Sequence, residues 1–480
     1  MGKLTHLEPG AVLGYFEEIC AIPHGSGDME RISAYCMEFA KAHSLEAYRD
    51  DANNVIIKKG ASAGYEKSAP VILQGHLDMV CQRTEECEID FAADGLDIYV
   101  DGDYITANGT TLGADNGIAV AMILAILADN SLSHPPIEAV FTTDEEIGML
   151  GAIALDFDRL SGRRMINMDS EDESVVTVSC AGGSDLTARL ATDRVKKSGS
   201  CVKVAVKGLK GGHSGVEIDK GRVNANVLMG RILGHIKESV DFDIISIDGG
   251  DKMNAIPLSC VATLCCGDSD ALIGQVNAYA DIIATEIKSR EADFCCESQV
   301  LGTGEYDVLA NDSTNKLIHA LMLAPNGVIE MSAEIDGLVQ TSLNLGVLKT
   351  DADTVSFSFA LRSNKKSALI YLEERLCAFF KNIGCEIATG GHYPPWEFKN
   401  DSQLQELYVQ KYREKKGTEP KVEAIHAGLE CGVFADALSG LDCISIGPEM
   451  HDIHTTGERL GIRSTKEIYE IVIDVLSALK

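Results

Sequence analysis

The runs A-P-V-I-L-Q-G (residues 69–75), G-I-A-V-A-M-I-L-A-I-L-A-D-N (117–130) and P-P-I-E-A-V-F-T-T (135–143) form the stretch of sequence that decides the fold. The first and third runs are short, apolar and bounded by Gly or Pro, which is typical of buried strands. The second run is longer and almost wholly apolar, which indicates a buried helix. A buried helix between two buried strands predicts a parallel or mixed sheet with helices against both faces.

Similar elements lie towards both ends of the chain. R-R-M-I-N-M-D (163–169) and L-D-C-I-S-I-G-P (441–448) read as buried strands, and the pattern predicts an amphipathic helix at about 402–415. Because both chain ends share this pattern, we predict one α/β catalytic domain with a mostly parallel mixed sheet flanked by helices. Residues 1–184 and 395–480 would form it.

The pattern changes after about Ser184. C-V-K-V-A-V-K-G-L-K-G (201–211) and T-V-S-F-S-F-A-L-R-S (354–363) alternate apolar and polar residues, as strands with one exposed face do. Residues 221–236 and 269–289 have helix-like patterns. We therefore predict an inserted α+β domain with an antiparallel sheet over residues 185–394.

Charge and cysteine content restrict the classes of partner. The 480 residues carry 42 Lys and Arg against 73 Asp and Glu, a formal net charge of −31 at pH 7. Such a chain lacks the basic face that nucleic acids and anionic membranes require, so neither is expected as a partner. The longest apolar run, Gly117 to Ala128, is shorter than the roughly 20 residues that cross a bilayer. The 15 Cys have no metal or disulfide spacing, which indicates reduced thiols and predicts a cytoplasmic location.

Histidines and acidic residues follow the predicted strands of the two chain ends or begin the buried helix. In chain order they are His76 and Asp78, Asp115, Glu145 and Glu146, Asp169, and His451 and His454. Ligands bind outside the carboxyl ends of the strands in an open α/β sheet, so these side chains are expected to converge there.

The chemistry of this set favours a pair of divalent metal ions. Imidazole and carboxylate groups are the ligands of catalytic zinc, and one shared carboxylate can bridge two ions. The spacing His76-x-Asp78 lets the Asp carboxylate bond the second ring nitrogen of a ligating His. Of the adjacent Glu145 and Glu146, one can bind metal while the other acts on water as a general base.

Each of these residues also has a simpler interpretation. Asp115 and Asp169 occupy positions where helix caps and turns are common, and a lone His76 is more often structural than a ligand. The metal-site interpretation rests on five segments that all supply metal-binding side chains at predicted element ends.

Five motifs together resemble one family. They are L-Q-G-H-L-D-M-V (73–80), A-N-G-T-T-L-G-A-D-N-G (107–117), T-D-E-E-I-G-M-L-G-A (143–152), G-G-H-S-G (211–215) and H-A-G-L-E-C-G (426–432). From about Leu13 to its C-terminus the chain resembles the cytosolic aminoacyl-histidine dipeptidases, also called non-specific Xaa-His dipeptidases. These belong to the wider clan of di-zinc dipeptidases, carboxypeptidases and acylases.

The resemblance implies a ligand set for two zinc ions. His76 and Asp169 would hold one ion, Glu146 and His454 the other, and Asp115 would bridge them. His451 is the alternative to His454 as the C-terminal ligand. The segment Thr455 to Arg459 that follows His454 matches the family's pattern better, although the Pro of that pattern is absent. Co²⁺ or Mn²⁺ would also suit such a site.

The resemblance also assigns catalytic roles beside the metals. Glu145 would be the general base that activates water, and Asp78 would orient His76. The peptide bond between Asp115 and Asn116 would be cis.

The inserted domain resembles the family's lid, which carries further candidate residues. His213 would donate to the oxyanion, and in related dimeric enzymes this His reaches the partner's site, so a homodimer is expected. Arg362 would bind the substrate's carboxylate, with a surface position on an edge strand as its alternative. Asn254 and Glu430 are further substrate-binding candidates, Glu430 for a substrate amino group.

We therefore expect a metal-dependent dipeptidase of broad specificity, with Xaa-His dipeptides among its candidate substrates. An N-acyl amino acid deacylase or a carboxypeptidase on the same metal core is the alternative within the hydrolases. A catalytically inactive peptide-binding protein is the alternative from another class. A nucleotide-dependent enzyme is disfavoured, because both the P-loop motif and a dinucleotide-binding fingerprint are missing.

Overall fold

A computed structural model describes residues 2–4 and 6–480, and the chain divides into two compact units. The first unit comprises Met1–Cys180, Phe398–Ala424 and Leu429–Lys480. The second comprises Ala181–Glu397 and Ile425–Gly428. The segment Ile425–Gly428 is held to the rest of the second unit by hydrogen bonds. The backbone N–H of Ala181 donates to the carbonyls of both Ile425 and Ala427.

The α-helices, in chain order, are α1 (Gly10–Cys20), α2 (Glu30–Ala42), α3 (Ala114–Ala128), α4 (Leu150–Ala154), α5 (Ala225–Lys237), α6 (Ser269–Ile287), α7 (Asn311–Leu323), α8 (Lys366–Asn382), α9 (Gln403–Lys416), α10 (Glu430–Ala437) and α11 (Ile462–Ala478).

The strands, in chain order, are β1 (Glu46–Arg49), β2 (Val55–Lys59), β3 (Val71–His76), β4 (Ile98–Asp101), β5 (Tyr104–Ala107), β6 (Ile137–Thr142), β7 (Arg164–Asn167), β8 (Val175–Cys180), β9 (Gly182–Ala191), β10 (Arg194–Lys207), β11 (Gly212–His213), β12 (Phe242–Gly249), β13 (Ala255–Ile256), β14 (Cys260–Cys266), β15 (Cys295–Leu309), β16 (Gly327–Met331), β17 (Val339–Thr350), β18 (Thr354–Ser363), β19 (Glu386–Tyr393), β20 (Lys421–Ile425), β21 (Asp442–Ser445), β22 (Met450–His451) and β23 (Arg459–Gly461).

The first unit is built on a mixed sheet with the strand order β1-β2-β6-β3-β7-β21-β8-β20. Its centre is parallel, because β3 pairs in parallel with β6 and β7, and β7 pairs in parallel with β21. Strands β3 and β6 are buried along their whole length, as strands covered on both faces are. The predicted mostly parallel α/β sheet is therefore confirmed.

Helix α3 has apolar side chains all round and lies in the centre of the first unit's core. It packs against α1, α11 and strand β3. A helix that is apolar on every face is stable only when neighbours cover all of it. The neighbours of α3 cover it in this way. They also place its first turn at the carboxyl end of β3, where the candidate site lies.

The second unit contains an antiparallel sheet with the order β15-β10-β14-β12-β17-β18-β9-β19, to which β16 is added beside β17. Helices α5 to α8 cover it, and its own apolar core lies beneath them. The predicted α+β fold with an antiparallel sheet is confirmed. Strand β18 has the predicted bounds, whereas β10 begins earlier, at Arg194, and ends at Lys207. It ends there because Gly208 has a φ of +75°, a left-handed conformation that turns the chain out of the sheet.

Within the described residues, the structure contains no helix that is both long and apolar enough to cross a membrane.

Candidate active site

The candidate site lies in the first unit, at the carboxyl ends of the parallel strands. His76 is the last residue of β3, and Asp169 follows the end of β7 by two residues. Glu145 and Glu146 lie in the loop after β6, and Asp115 is in the first turn of α3. His454 lies between β22 and β23 with a left-handed φ of +60°. The structure thus places side chains from five separate segments at one edge of the sheet.

The carboxylate of Asp115 lies between two imidazole rings. Its Oδ1 is 3.2 Å from Nε2 of His76, and its Oδ2 is 3.2 Å from Nε2 of His454. His76 Nε2 also lies 3.4 Å from Oδ1 of Asp169, while His454 Nε2 lies 2.8 Å from Oε1 of Glu146. Ligand-type atoms of His76, Asp115 and Glu146 all lie within 4.8 Å of one another. One carboxylate with an oxygen towards each of two His-carboxylate pairs has the donor arrangement of a bridged two-metal site.

The contacts of the His76 ring indicate that this donor set suits a cation. Its Nδ1 is 3.0 Å from the backbone carbonyl oxygen of Asp78, so we assign the ring proton of the neutral form to Nδ1. The lone pair of Nε2 then faces the carboxylate oxygens of Asp115 and Asp169. Electron pairs from three acceptors repel one another unless a proton or a cation lies between them. The residues present therefore fit a divalent metal ion.

The charges of the site lead to the same conclusion. Burial raises the pKa of Glu145, and it also raises the pKa of Glu146 and of Asp169. Hydrogen bonds with Asp115 and Glu146 raise the pKa of His454 to about 10. These shifts describe an excess of buried negative charge, which bound cations would neutralise.

Asp78 has a different contact pattern from the predicted one. Its carboxylate accepts the backbone N–H groups of Glu145 at 3.0 Å and Glu146 at 3.2 Å, and the hydroxyl of Ser26 at 2.8 Å. The carboxylate is 3.4 Å from His76 Nδ1, whereas the carbonyl oxygen of Asp78 is closer, at 3.0 Å. Both the backbone and the side chain of Asp78 thus lie beside the ring of His76. The carboxylate of Asp78 accepts the two backbone N–H groups of the 145–146 loop.

The two candidate histidines near the C-terminus have different surroundings. His454 lies against Asp115 and Glu146. His451 instead lies with Nε2 2.9 Å from Glu449 Oε1, and its ring lies beside that of Tyr104. The arrangement supports His454, rather than His451, as the candidate ligand.

The structure contradicts the sequence prediction for Glu430. This side chain has no exposed surface and lies at the first residue of α10. Its Oε2 accepts hydrogen bonds from the hydroxyl of Thr142, at 2.6 Å, and from the amide of Gln74. A fully buried carboxyl group cannot contact a substrate amino group, so the prediction is wrong. Glu430 instead begins α10 and contacts the strands β3 and β6.

His213, Arg362 and Asn254 belong to the second unit. His213 Nδ1 accepts the backbone N–H groups of Gly215 and Val216, both at 3.2 Å, so its ring proton lies on Nε2. Burial lowers the pKa of His213, and the positive charge of Arg362 lowers it further. His213 is therefore a neutral Nε2–H donor near pH 7.

Arg362 and Asn254 lie in the neighbourhood of His213. Arg362 is half-buried on β18, inside the sheet rather than on its edge, and its Nη1 donates to the Tyr393 hydroxyl at 2.7 Å. The backbone carbonyl of the exposed Asn254 accepts the N–H of Ser214 at 2.9 Å. The second unit thus groups its three candidate residues around β11 and β18.

The sequence patterns did not single out Glu458, whose buried carboxylate accepts backbone N–H groups of the loop that carries Asp115. Its signal in the sequence is weak: an acidic residue four positions after His454 and directly before Arg459. The peptide bond between Asp115 and Asn116 is cis, as the resemblance implied.

Comparisons with known proteins agree with this geometry. The chain is 36% identical to the cytosol non-specific dipeptidase of Escherichia coli (strain K12), over 100% of this chain and 99% of that protein. The crystal structure of aminoacylhistidine dipeptidase from Vibrio alginolyticus is similar, with a TM-score of 0.93 and 37% identity over 99% of this chain and 98% of that one.

A more distant structure shares the fold alone. Aminopeptidase PepT from Bacillus cereus ATCC 10987 has a TM-score of 0.58 and 15% identity over 98% of this chain and 99% of that one. The model of the peptidase family M20/M25/M40 matches residues 72–478, a range that contains every candidate ligand. This chain is a member of the peptidase family M20/M25/M40.

Proposed function

We propose that this chain is a metal-dependent dipeptidase of broad specificity, with Xaa-His dipeptides among its substrates. The observation that carries the proposal is the Asp115 carboxylate, which offers one oxygen to each of two His-carboxylate pairs. The names of the full-length relatives, a non-specific dipeptidase and an aminoacylhistidine dipeptidase, support the same substrate class.

The proposed ligands divide into two groups that share one carboxylate. His76 and Asp169 would hold the first ion, Glu146 and His454 would hold the second, and Asp115 would be the ligand that the two ions share. We propose Zn²⁺ as the metal, with Co²⁺ or Mn²⁺ as alternatives, because a mixed imidazole and carboxylate set accepts all three. When bound, two such ions lower the pKa of a coordinated water and polarise the substrate carbonyl.

Glu145 is the proposed general base. Asp78 holds the backbone N–H groups of both glutamates, but it is the side chain of Glu146 that contacts His454, which leaves the side chain of Glu145 for proton transfer. Glu145 takes a proton from the attacking water as the water oxygen bonds to the peptide carbon. It then passes that proton to the leaving nitrogen as the C–N bond breaks, which yields a free amine and a carboxylic acid, and the acid becomes a carboxylate by releasing the second proton of the water.

The second unit supplies the proposed substrate contacts. The Nε2–H of His213 donates to the oxyanion, an electrostatic role that its tautomer permits. Arg362 binds the C-terminal carboxylate of the dipeptide, and Asn254 binds the substrate nearby. We further propose that this unit is the inserted lid, that the enzyme is a homodimer and that it works in the cytoplasm.

The two alternative functions have less support. A deacylase or carboxypeptidase would use the same metal core, but the full-length curated relative is named as a dipeptidase. An inactive binding protein would be expected to have lost ligands, yet all proposed ligands and the base are present and close together.

A substrate panel with the base removed tests the proposal. We expect chelator-sensitive cleavage of dipeptides, including Xaa-His, and little cleavage of tripeptides or N-acetyl amino acids. Glu145→Gln should lower kcat by about 10²–10⁴-fold while the metal content per chain is unchanged, because only proton transfer is lost. Glu88→Gln, which changes an exposed carboxylate, is the control. Cleavage of N-acetyl amino acids alone would favour the deacylase, and no cleavage by fully metallated protein would favour the binding protein.

A further inference from the structure

The carboxylate of Glu458 is buried, with a relative exposure of 2%, and accepts consecutive backbone N–H groups. Its Oε2 accepts from Leu112 at 2.7 Å and from Gly113 at 3.1 Å. Its Oε1 accepts from Ala114 at 2.8 Å and from Asp115 at 3.3 Å. A single side chain thus serves as the acceptor for the whole 112–115 loop, from a position 343 residues away along the chain.

The shape of the loop explains why its N–H groups point at one carboxylate. Gly113 has φ of +69° and ψ of +26°, a left-handed conformation between extended chain and helix. The range of α3 begins at the next residue, but Asp115 and Asn116 have non-helical backbone angles, so the regular part of the helix follows them. The N–H groups of residues 112–115 therefore have no partners within a regular helix, and successive backbone N–H groups that point at one place form a site for an anion. Glu458 supplies that anion.

This contact changes the role open to Asp115. An acidic residue in the first turn of a helix often caps the free N–H groups itself. Here Glu458 occupies those N–H groups, and both oxygens of Asp115 point instead towards the rings of His76 and His454. Without Glu458, the four N–H groups would lose their acceptor.

Glu458 also belongs to the loop that carries His454. Its backbone N–H donates to the carbonyl of Thr455 at 3.2 Å, and its carbonyl accepts the hydroxyl of Thr106 at 2.7 Å. The same residue is therefore fixed to β5, to the His454 loop and to the Asp115 loop. It connects the loop that carries Asp115 with the loop that carries His454. The side chains of these two residues lie within hydrogen-bonding distance of each other.

We propose that Glu458 is a positioning residue for the metal site: it accepts the N–H groups of the 112–115 loop in place of Asp115 and holds the Asp115 and His454 loops in register. It touches neither substrate nor metal and acts through these two residues. The inference rests on the ligand set given under the proposed function.

The test compares Glu458→Gln with a matched control, Glu138→Gln. Glu138 is also buried, and it accepts the backbone N–H groups of Ser161 and Gly162, which carry no ligand. A Gln side chain fills the volume of Glu, but its NH₂ group would face two backbone donors. We therefore expect Glu458→Gln to weaken Zn²⁺ binding by 10–100-fold, measured by titrating Zn²⁺ alone into chelator-treated full-length protein. Amides 112–115 should exchange with deuterium at least about tenfold faster in the metal-free variant.

Zn²⁺ affinity and amide exchange at residues 112–115 together distinguish a positioning role of Glu458 from a general loss of stability. Glu138→Gln should leave both Zn²⁺ affinity and exchange at 112–115 unchanged. If Glu458→Gln binds Zn²⁺ like the wild type, or if its 112–115 amides exchange normally, the proposal is wrong. If Glu458→Gln does not fold, Glu458→Asp takes its place, with the same expectations. Failure of both variants to fold while Glu138→Gln folds would also overturn it, because the role would then be one in folding.

A third variant distinguishes this inference from the proposed function. Asp115→Ala should bind Zn²⁺ more weakly than the wild type if Asp115 bridges the two ions. If Asp115→Ala retains full affinity, the ligand set itself is wrong. If Asp115→Ala loses affinity and Glu458→Gln does not, only the role of Glu458 is refuted.

Discussion

Asp115 shows how one acidic residue acquires its role from a distant partner. Its place in the first turn of α3 is typical of a helix cap, and its sequence context is equally compatible with that role. The carboxylate of Glu458 takes the capping contacts, and Asp115 lies between His76 and His454. The chemical role of the residue therefore depends on a contact that its own neighbours do not encode.

The two C-terminal histidines give a direct test of the ligand assignment. His454→Ala should lower the metal content by about one ion per chain and reduce kcat/KM by at least about 10²-fold, because it removes a ligand of the proposed pair. His451→Ala is the control, since that ring contacts Glu449 and Tyr104 instead. Metal analysis and dipeptide hydrolysis measure both effects. Loss of metal from His451→Ala with full occupancy of His454→Ala would reverse the assignment.

The buried His426 of the second unit should lower the free energy of unfolding in acid. Burial, together with the positive charge of Arg362, lowers the pKa of this His to about 3. Its ring nitrogens contact the hydroxyl of Ser342 at 2.8 Å and the amide oxygen of Asn364 at 3.0 Å. Because the unfolded chain binds the proton near pH 6.5 and the folded chain does not, protonation favours unfolding.

The stabilising contribution of neutral His426 is complete above about pH 6.5 and is lost as the pH falls towards 3. The free energy of unfolding should fall by roughly 1.4 kcal/mol per pH unit from this group within that window. Urea unfolding between pH 7 and 4 measures the slope, and His426→Asn, which cannot titrate there, should show a shallower one. Equal slopes for the two proteins would contradict the prediction.

At the scale of elements, buried polar side chains fix the ends of neighbouring strands and helices to one another. Glu430 at the start of α10 accepts hydrogen bonds from Thr142 at the end of β6 and from Gln74 on β3. Gln74 in turn accepts the amide of Asn167 on β7 at 2.5 Å. Strands β6, β3 and β7 are neighbours in the sheet and lead into the segments that carry the ligands. The network therefore supports the edge of the sheet from behind.

Substitution of Glu430 should separate hydrogen bonding from charge. Burial raises the pKa of Glu430 to about 7, and both of its hydrogen bonds fall on one oxygen. Glu430→Gln keeps such an oxygen and should cost less than about 1 kcal/mol of unfolding free energy. Glu430→Ala leaves the Thr142 hydroxyl and the Gln74 amide without this acceptor and should cost about 2–4 kcal/mol. Chemical denaturation measures both, and an equal cost for the two variants would show that the carboxylate charge matters instead.

At the scale of the whole molecule, the net charge of −31 is concentrated in part at one buried edge of a sheet. Carboxylates held close together in a buried place destabilise the fold unless cations neutralise them. Metal ions that bind only the folded chain would therefore stabilise it as well as enable catalysis.

Removal of metal should lower the thermal stability of the full-length protein. An ion present at 100 times its Kd contributes about 2.7 kcal/mol, which for a chain of 480 residues corresponds to a fall in Tm of roughly 3 °C per ion on chelation. Calorimetry of the wild type with chelator and after added Zn²⁺ measures this change. Asp115→Ala is the control and should respond much less to either addition. An unchanged wild-type Tm after verified metal removal would contradict the proposed coupling.

Much of this molecule follows from local sequence patterns. The apolar runs predict β3, β6 and α3, because burial on all sides leaves a continuous apolar sequence. The alternating run predicts β18 with its observed bounds. Strand β10 extends beyond its apolar run because it pairs with β15 as far as Arg194, and pairing with a remote strand leaves no local signal.

The sequence by itself determined the two fold patterns, the element ends that carry metal-binding side chains and the family. The tertiary structure decided what each side chain contacts: Glu430 is buried, Asp78 accepts N–H groups of the 145–146 loop and Glu458 accepts those of the 112–115 loop. The physical reason is the distance along the chain over which each kind of interaction acts. Hydrophobic periodicity acts over one turn or one strand, whereas buried hydrogen bonds pair groups that lie far apart in the chain and whose partners only folding brings together.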